Sequence, residues 1–492
     1  MVESRARTQS EWQTIADEIV AVIGSPSLLT SPEELAPFEC DGLTVHKQRP
    51  AMVALPKTVE EAASILQICH EKQVPVVARG AGTGLSGGAM PLENSLLLSL
   101  ARFNNILNID ESNRTAVVQP GVRNLAISEA VDHLGLYYAP DPSSQIACTI
   151  GGNVAENSGG VHCLKYGLTI HNVSGIKFLN MQGELIELGG ATMDSPGYDL
   201  LALMHGSEGL LGVIVEVTVK LLPKPELAQV VLAAFDDIEK AGHAVADIIA
   251  AGIIPAGLEM MDRLAIEAAE AFARAGYPAV EAILLCELDG TAAGVHDHIN
   301  RVQKVLTDAG ATEIRTSQNE AERLQFWAGR KAAFPAVGRL APDYYCMDGT
   351  IPKTALPVVL SQIAKWSEEY HLPVANVFHA GDGNMHPLIL YDANKPGELE
   401  RTEEFGKKIL ALCVEIGGTI TGEHGVGVEK LDSMCVQFGK LELKQFHAVK
   451  KAFDPDGLLN PGKAVPTLHR CAELGRMHVH NGQLPHPELE RF

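Results

Sequence analysis

Long apolar runs are missing from this 492-residue chain. No stretch approaches the roughly 18 consecutive apolar residues that a membrane-spanning helix needs. The opening residues, Met-Val-Glu-Ser-Arg-Ala-Arg, do not lead into the apolar segment of a secretion signal. These absences predict a cytoplasmic protein that has no membrane span of its own.

Paired cysteine motifs are missing as well. The chain has nine cysteines, an odd number, and none of them forms a Cys-x-x-Cys pair. This pattern argues against both a disulfide framework and an iron–sulfur site. We therefore expect the cysteines to be reduced thiols.

The chain has few positively charged residues relative to negatively charged ones. It contains 39 Lys and Arg and 61 Asp and Glu, which gives a formal net charge of −22. Such an excess of negative charge argues against nucleic acid or an anionic membrane as the main partner. A local basic pocket for a small anion remains compatible with it. The 46% apolar and 20% charged fractions are those of an ordinary globular protein, and the length suggests two or three domains.

The segment Val377–Leu388 carries the densest chemistry of the chain. It places His379 and His386 on either side of the turn-forming residues Gly381–Asn384, and apolar runs flank both histidines. Glycine, Asp and Asn favour tight turns. The pattern predicts a hairpin-like corner that brings two imidazoles together at the end of a sheet. Asn384 either binds the substrate or shapes the turn.

A second cluster follows in Thr421-Gly-Glu-His-Gly, where Glu423 and His424 are adjacent. Two histidines and one carboxylate commonly bind Zn, Fe or Mn and leave positions open for a substrate. The alternative is that these turn histidines simply face water. Two such clusters among glycines favour the metal interpretation.

Three loops of small residues lie before residue 225, namely Arg79–Gly88, Thr149–Gly160 and His205–Ile214. Glycines allow several backbone N–H groups to face inward and bind phosphate oxygens. The first loop lacks the Gly-Lys-Ser/Thr of a P-loop, and no helix opens directly behind it as in a Rossmann fingerprint. A structural glycine turn explains one loop equally well, but three loops suit a long dinucleotide.

The pattern of elements changes at Pro223-Lys-Pro225, a stiff hinge that predicts a domain boundary. Short strands dominate before it, and helices alternate with strands beyond it. Residues 319–353 have no clear period. Beyond the hinge we expect strands near 228–235, 254–261, 281–288 and 312–316, with helices at 236–251, 262–275, 293–309, 356–371, 403–416 and 441–453.

These motifs, in this order, resemble a known family. Arg79–Gly88, Ile150–Asn157 and Gly206–Gly212 are similar to the FAD domain of the vanillyl-alcohol oxidase and p-cresol methylhydroxylase type. His379–His386 together with Gly422–Gly425 resembles the FAD-linked D-2-hydroxy-acid dehydrogenase branch of that type. The resemblance implies an α+β fold in which a two-part FAD-binding domain precedes a substrate (cap) domain and a C-terminal helical segment.

Accordingly, we expect five parts along the chain. They are a helical lead-in at 1–50, the FAD-binding domain at 51–225, a cap domain with the metal site at 226–425, a helical segment returning to the flavin at 426–465, and a polar tail at 466–492 that carries His469, Cys471, His478, His480 and His486.

The resemblance implies non-covalent FAD, because no histidine stands out as a point of covalent attachment. It assigns the pyrophosphate to the first glycine loop, and the ribityl chain and flavin ring to Pro142, Ser143 and the second loop. It assigns the adenosine side or the ring edge to the third loop, and a position near the flavin to Asn460. The residues implied are Gly80, Ala81, Gly82, Thr83, Gly84, Ser86, Pro142, Ser143, Thr149, Gly152, Asn153, Glu208, Gly209, Val213, Ile214 and Asn460.

The resemblance also implies a mechanism. His379, His386 and Glu423 would bind a divalent metal that chelates the hydroxyl and carboxylate of a 2-hydroxy acid. His424 would remove the hydroxyl proton while hydride passes from Cα to flavin N5. Arg330 would hold the carboxylate, although a surface ion pair is the alternative for that residue.

Within this branch, Glu39–Leu43, Pro140–Cys148, Val161–Gly167 and Asp343–Pro352 are most similar to the glycolate-oxidising enzymes. The resemblance implies oxidation of glycolate to glyoxylate, with D-lactate as the alternative substrate. Tyr344–Met347 lacks the lysine with which relatives hold a second carboxylate, which favours a small substrate. A second flavoprotein-like subunit and an iron–sulfur subunit are the implied partners, and peripheral membrane attachment would come through them.

Two other classes of function remain open from the residues alone. A metal-dependent hydrolase uses the same His, His and Glu set to activate water. A non-catalytic flavin-binding subunit would keep the glycine loops without turning over a substrate. The three loops count against the hydrolase, and the adjacent Glu423 and His424 count against the non-catalytic subunit.

Overall fold

The structure is a computed structural model that describes residues 7–192 and 196–467. The tail histidines that the sequence singled out, together with Cys471, lie outside the described residues. The helices are α1 Gln9–Ile23, α2 Pro32–Leu35, α3 Val59–Glu71, α4 Asn124–Val131, α5 Ile150–Glu156, α6 Cys163–Tyr166, α7 Thr169–Asn172, α8 Leu200–Met204, α9 Ile238–Ala250, α10 Arg263–Ala273, α11 Ala292–Asp308, α12 Glu320–Val337, α13 Leu356–Tyr370, α14 Glu398–Glu415, α15 Leu431–Gln437 and α16 Lys440–Phe453.

The strands form several sheets along the described chain. They are β1 Leu28–Leu29, β2 Met52–Ala54, β3 Val76–Arg79, β4 Leu96–Ser99, β5 Ile106–Asp110, β6 Thr115–Val118, β7 Leu136–Tyr137, β8 Val173–Leu179, β9 Leu185–Gly189, β10 Val213–Lys220, β11 Leu222–Pro223, β12 Leu227–Phe235, β13 Gly257–Asp262, β14 Ala282–Gly290, β15 Glu313–Thr316, β16 Asp343–Cys346, β17 Val374–Phe378 and β18 Pro387–Tyr391.

Two sheets organise the part of the chain before Pro223. A four-stranded sheet runs in the order β1-β2-β4-β3, with parallel pairs β2–β4 and β3–β4. An antiparallel sheet of five strands has the order β5-β6-β10-β8-β9. Helix α3 covers the first sheet, because it buries Ala62, Ile65, Leu66 and Cys69 on one face, and Thr58 caps its N-terminus.

A seven-stranded antiparallel sheet, β15-β12-β14-β13-β17-β18-β16, dominates the part after Pro223. Helices α9, α11 and α13 supply apolar faces to one core beside this sheet, and α10 and α12 supply those of another. The chain then returns to the first domain, where the backbone of Val76 on β3 exchanges hydrogen bonds with Leu458 and Asn460. This return places the C-terminal segment beside the first glycine loop.

The alternation of strands and helices expected beyond the hinge is confirmed, from β12 through β15. The expectation that residues 319–353 are more irregular is wrong, because they contain the 18-residue helix α12 and strand β16. Seven described cysteines, from Cys40 to Cys413, are free thiols. Among the residues that the structure describes, no helix combines the length and apolar character needed to cross a membrane.

Candidate active site

The three small-residue loops converge on one cavity of about 510 Å³. The first loop follows β3, the second leads into α5, and the third leads into β10. Most residues that the resemblance assigned to FAD lie in the cavity wall, namely Gly80, Ala81, Gly82, Thr83, Gly84, Pro142, Ser143, Thr149, Gly152, Asn153, Glu208, Gly209 and Ile214.

The cavity is built for a polar ligand that approaches the backbone closely. At Gly80 a Cβ atom would stand 2.2 Å from Thr149 Oγ1, so only glycine leaves the space between the first two loops open. Thr149 Oγ1 is buried and has no hydrogen-bond partner among the described residues. An unpaired hydroxyl in a glycine-lined wall fits the polar groups of FAD.

Ser86, Val213 and Asn460 are not in the wall of this cavity. Asn460 Nδ2 donates to the carbonyl oxygens of Gly88, at 3.0 Å, and Glu208, at 2.6 Å. It therefore ties the first loop to the third from outside the cavity. The buried Ser86 instead accepts, through its carbonyl oxygen, the backbone N–H groups of Val428 and Glu429.

The sequence analysis did not predict the contacts of the buried charges Glu208 and Lys463. The Glu208 carboxylate accepts the backbone N–H groups of Val426 and Gly427, both at 2.7 Å, and so links the FAD side to the loop that carries Glu423. Burial lowers the pKa of Lys463 to about 7, although Asp41 and Glu208 act in the opposite direction. These contacts join residues that are far apart in the sequence, so no local sequence pattern predicts them.

The predicted histidine corner is confirmed. Strands β17 and β18 pair antiparallel, His379 N–H donates to Asn384 O at 3.0 Å, and the His379 and His386 rings lie 5.1 Å apart. Glu423 Oε1 lies 3.4 Å from His379 Nε2 and 3.0 Å from His386 Nε2. One ligand atom from each of the three side chains lies within 4.8 Å of the others.

Both histidines present Nε2 to this centre because their other nitrogens are held. His379 Nδ1 is 2.8 Å from Glu259 Oε1, and His386 Nδ1 is 3.2 Å from Met347 O. Acceptors at Nδ1 fix the tautomer in which Nε2 has a free lone pair, the arrangement that metal-binding histidines use. The donor set therefore fits a divalent metal.

The electrostatic environment of this centre also favours a metal cation. Burial acts to lower the pKa of His379, but Glu259 and Glu423 outweigh it and hold that pKa well above the ordinary value. Burial also acts to lower the pKa of His386, but contacts with Cys346 and Glu423 outweigh this effect and raise that pKa to about 10. Carboxylates that attract protons this strongly also attract a metal cation.

His424 has a different environment from its neighbours. Its ring stacks on His386 at 4.9 Å, and its Nε2 is 3.8 Å from Glu423 Oε1. Burial lowers the pKa of His424 to about 4, with Asp348 acting in the opposite direction. A neutral imidazole at neutral pH is able to accept a proton.

Asp348 shapes the loop that carries Glu423 and His424. Its buried carboxylate accepts the backbone N–H of His424 at 2.9 Å and of Gly422 at 3.1 Å, and Lys430 Nζ lies 3.0 Å away. Burial opposes ionisation, but Lys430 outweighs it and holds the pKa of Asp348 well below its usual range. The ionised carboxylate therefore fixes this loop from behind.

Arg330 lies on α12 and is almost fully buried, with 1% of its side chain exposed. Its Nε donates to Glu259 Oε2 at 2.8 Å, so the guanidinium contacts the carboxylate that also holds His379. The next residue, Lys331, lines the large cavity together with Phe334, His386 and His424. The structure thus brings two cations of α12 near the centre, one through Glu259 and one directly in the wall.

A second possible ligand set shares His386. Cys346, His386 and His424 also offer ligand atoms within 4.8 Å of one another. Burial raises the pKa of the Cys346 thiol. Because a hard or borderline divalent ion prefers carboxylate and imidazole to a protonated thiol, the set with Glu423 is the better match.

Comparison with known proteins places the chain in a family. Residues 50–189 match the FAD binding domain model, and residues 224–464 match the model of the C-terminal domain of FAD linked oxidases. The chain belongs to the FAD-linked oxidase family. The expected α+β fold with an FAD-binding domain and a cap domain is confirmed.

Among its relatives, the glycolate oxidase subunit GlcD of Escherichia coli K12 is 66% identical over 94% of this chain and 93% of the relative. GlcD of Bacillus subtilis is 39% identical over 91% of this chain and 96% of the relative. A D-lactate dehydrogenase of Anaerostipes hadrus is 31% identical over 89% of this chain and 97% of the relative. The structure of p-cresol methylhydroxylase with substrate bound superposes with a TM-score of 0.80 at 18% identity, covering 94% of this chain and 99% of that one, which shows a shared fold.

Proposed function

We propose that this protein oxidises glycolate to glyoxylate with FAD and a divalent metal. The observation that carries the proposal is the position of His386, Glu423 and His424 in the wall of the same cavity that the glycine loops line. The likeness to GlcD supports glycolate as the substrate. A flavin and a metal-held substrate would thus share one chamber.

Each cofactor supplies one kind of chemistry. The glycine loops would hold FAD without a covalent link, and FAD would supply the acceptor for the hydride of the substrate Cα. His379, His386 and Glu423 would hold a Zn, Fe or Mn ion, which would supply Lewis-acid polarisation of the substrate hydroxyl. The protein side chains then direct the proton and the carboxylate.

His424 is the general base of the proposal. Its Nε2 lies on the side of the metal ligands and accepts the hydroxyl proton. Asp348, 4.0 Å from His424 Nδ1, stabilises the imidazolium that results. The backbone N–H contacts to Asp348 hold the imidazole in place while the proton moves.

The substrate carboxylate binds near the consecutive residues Arg330 and Lys331 of α12. Arg330, to which the family resemblance gives this role, is not among the residues that line the cavity, and its ion pair with Glu259 couples it to His379. Lys331 adds a second cation in the cavity wall. A guanidinium and an ammonium both match a small carboxylate.

D-lactate is the second candidate substrate. The observation that favours it is the D-lactate dehydrogenase among the relatives. Tyr344–Cys346, which form most of β16, and Met347 offer no lysine for a second carboxylate, so a dicarboxylic substrate is disfavoured. Asn384 donates through Nδ2 to Asp348 at 2.9 Å, which supports a role in shaping the turn.

We also propose that the chain works as one subunit of a multi-subunit complex, as the subunit name of its relatives indicates. A second flavoprotein-like subunit and an iron–sulfur subunit would carry the electrons onward. Attachment at the inner face of the cell membrane would come through these partners. The polar tail remains without an assigned role.

Steady-state rates with an artificial electron acceptor test the substrate. We expect glycolate to give a higher kcat/KM than D-lactate, L-lactate or D-2-hydroxyglutarate. Lys331→Met should raise KM for glycolate by about tenfold, because a charge-assisted contact to the carboxylate is lost. A higher kcat/KM for D-lactate would show that D-lactate, the second candidate, is the substrate. Failure to oxidise any of these 2-hydroxy acids would reject the proposed function.

A further inference from the structure

A second cavity, of about 220 Å³, reaches the metal ligands from a different side. His379 lines this second cavity but not the large one, whereas His386 and His424 line only the large one. Glu423 lines both. The proposed metal ligands therefore form part of the wall between two chambers.

The second cavity leads outward past residues of increasing exposure. His379 is buried at its inner end, Leu168 is partly buried, and His171 is exposed. The backbone N–H of Leu168 donates to His171 Nδ1 at 3.1 Å, which links these two residues of the wall. The volume is large enough for an ion that still carries several waters.

The lining chemistry of the second cavity favours cations over anions. Its carboxylates are Asp382 and Glu423, and none of the described residues that line it is lysine or arginine. The wall of the large cavity also contains carboxylates, those of Glu156, Glu208 and Glu423, but it includes the cations Arg79 and Lys331 as well. A 2-hydroxy acid anion therefore finds a lysine and an arginine in the wall of the large cavity and neither among the described residues that line the second one.

Asn384 adds a polar group in the second cavity that has no partner in the protein. The residue is 6% exposed and lines the cavity, and its Oδ1 has no hydrogen-bond partner among the described residues. Its Nδ2 donates to the ionised Asp348, which fixes the orientation of the amide. A buried amide oxygen without a donor is a suitable ligand for a hard cation in transit.

We infer that the second cavity is the route by which the divalent metal ion reaches and leaves His379, His386 and Glu423. The ion would pass Leu168 and contact Asp382 and Asn384 on its way to His379 and Glu423. FAD and substrate fill the large cavity during turnover, so a separate route allows metal exchange without loss of either. The inference rests on the proposed function, because it takes this ligand set as the metal centre.

Metal exchange in the FAD-loaded protein tests the route. Zn²⁺ uptake by the metal-stripped protein and Zn²⁺ release to a chelating dye would be followed for wild type and Leu168→Trp. An indole at position 168 in the wall of the route should slow uptake and release by the same factor, about tenfold or more, and leave Kd unchanged. Leu441→Trp, at a residue that is 73% exposed on α16, is the matched control and should exchange at the wild-type rate.

A second variant allows the route to be tested even if Leu168→Trp does not fold. Asp382→Asn preserves the shape of the side chain but removes a carboxylate from the route, so Zn²⁺ uptake should slow several-fold while FAD remains bound. Unchanged exchange in both variants would overturn the route. Absence of Zn²⁺ binding in wild type would instead reject the metal centre of the proposed function.

Discussion

Two neighbouring imidazoles of the candidate site have pKa values that are shifted in opposite directions. Burial penalises the charged form of both, but contacts with Cys346 and Glu423 raise the pKa of His386 to about 10, whereas the pKa of His424 falls to about 4. Opposite shifts in one site separate the roles of its members. The carboxylate environment of His386 is suited to a metal cation, and His424 is neutral at neutral pH, the form that a general base requires.

Replacing His424 tests its role as the base. His424→Gln should leave FAD bound, while reduction of the flavin by glycolate slows by at least about 10²-fold, because general base catalysis is lost. Stopped-flow absorbance measures both properties. His243→Gln, at an exposed position on α9, is the control. Flavin reduction at the wild-type rate in His424→Gln would remove His424 from the mechanism.

The sequence identified the side chains that carry recognisable motifs but missed those that hold them. His379, Glu423 and the glycines lie in dense local patterns. Glu259 and Asp348 have no such pattern, because Glu259 lies within the buried strand β13 and Asp348 contacts a loop more than 70 residues away. Such supporting carboxylates become visible only when the fold brings distant strands and loops together.

Helix α12 shows why one element could not be predicted. It contains Gly329 and Pro335, which both disfavour a helix, and its apolar pattern is weak. Packing overrides these local preferences. Gly329 lies against the ring of Tyr277, where a Cβ would stand 2.5 Å from a ring carbon, so the close contact requires glycine. The elements with regular spacing, such as α9, α11 and β10, were predictable.

The first glycine loop offers a test at the level of the element. Gly80→Ala should abolish FAD binding or weaken it by at least about tenfold, because the new methyl group would stand 2.2 Å from Thr149 Oγ1. The ratio of flavin to protein absorbance after purification measures this. Gly338→Ala, whose nearest contact would be 3.4 Å at the end of α12, should retain FAD. Full FAD content in Gly80→Ala would contradict the proposal that the first glycine loop binds FAD.

At the scale of the whole molecule, a buried polar cluster joins the two halves of the chain. His162 Nδ1 is 2.9 Å from Asp141 Oδ2 and its Nε2 is 3.2 Å from Glu287 Oε1. Arg323 and Trp327 both donate to Glu287 Oε2. Asp141 precedes the cavity residues Pro142 and Ser143, so this cluster fixes the FAD loop against the cap domain.

The cluster predicts a pH-dependent contribution to stability. Burial raises the pKa of Glu287, but His162 and Arg323 outweigh it and lower that pKa to about 2, so the stabilisation is present above the unfolded value of 4.5 and is lost as pH falls toward 2. Glu287→Gln should lower Tm at pH 7 by at least about 3 °C.

Calorimetry between pH 7 and pH 3.5 measures this difference. We expect the gap in Tm between Glu287→Gln and wild type to stay nearly constant down to about pH 4.5 and to shrink below it. Glu313→Gln, at a residue that is 48% exposed at its side chain, is the control. A gap that widens on acidification would show that the carboxylate of Glu287 does not carry the stabilisation.

Anaerobic mixing of the FAD-loaded protein with glycolate tests most directly the claim that a metal-held 2-hydroxy acid reacts beside the flavin. The visible flavin absorbance should bleach with the metal-replete protein, should not bleach after the metal is removed by EDTA, and should bleach again when the metal is restored. FAD content must remain the same throughout. Equally fast bleaching by the metal-free protein, or no bleaching by glycolate in the metal-replete protein, would contradict the claim.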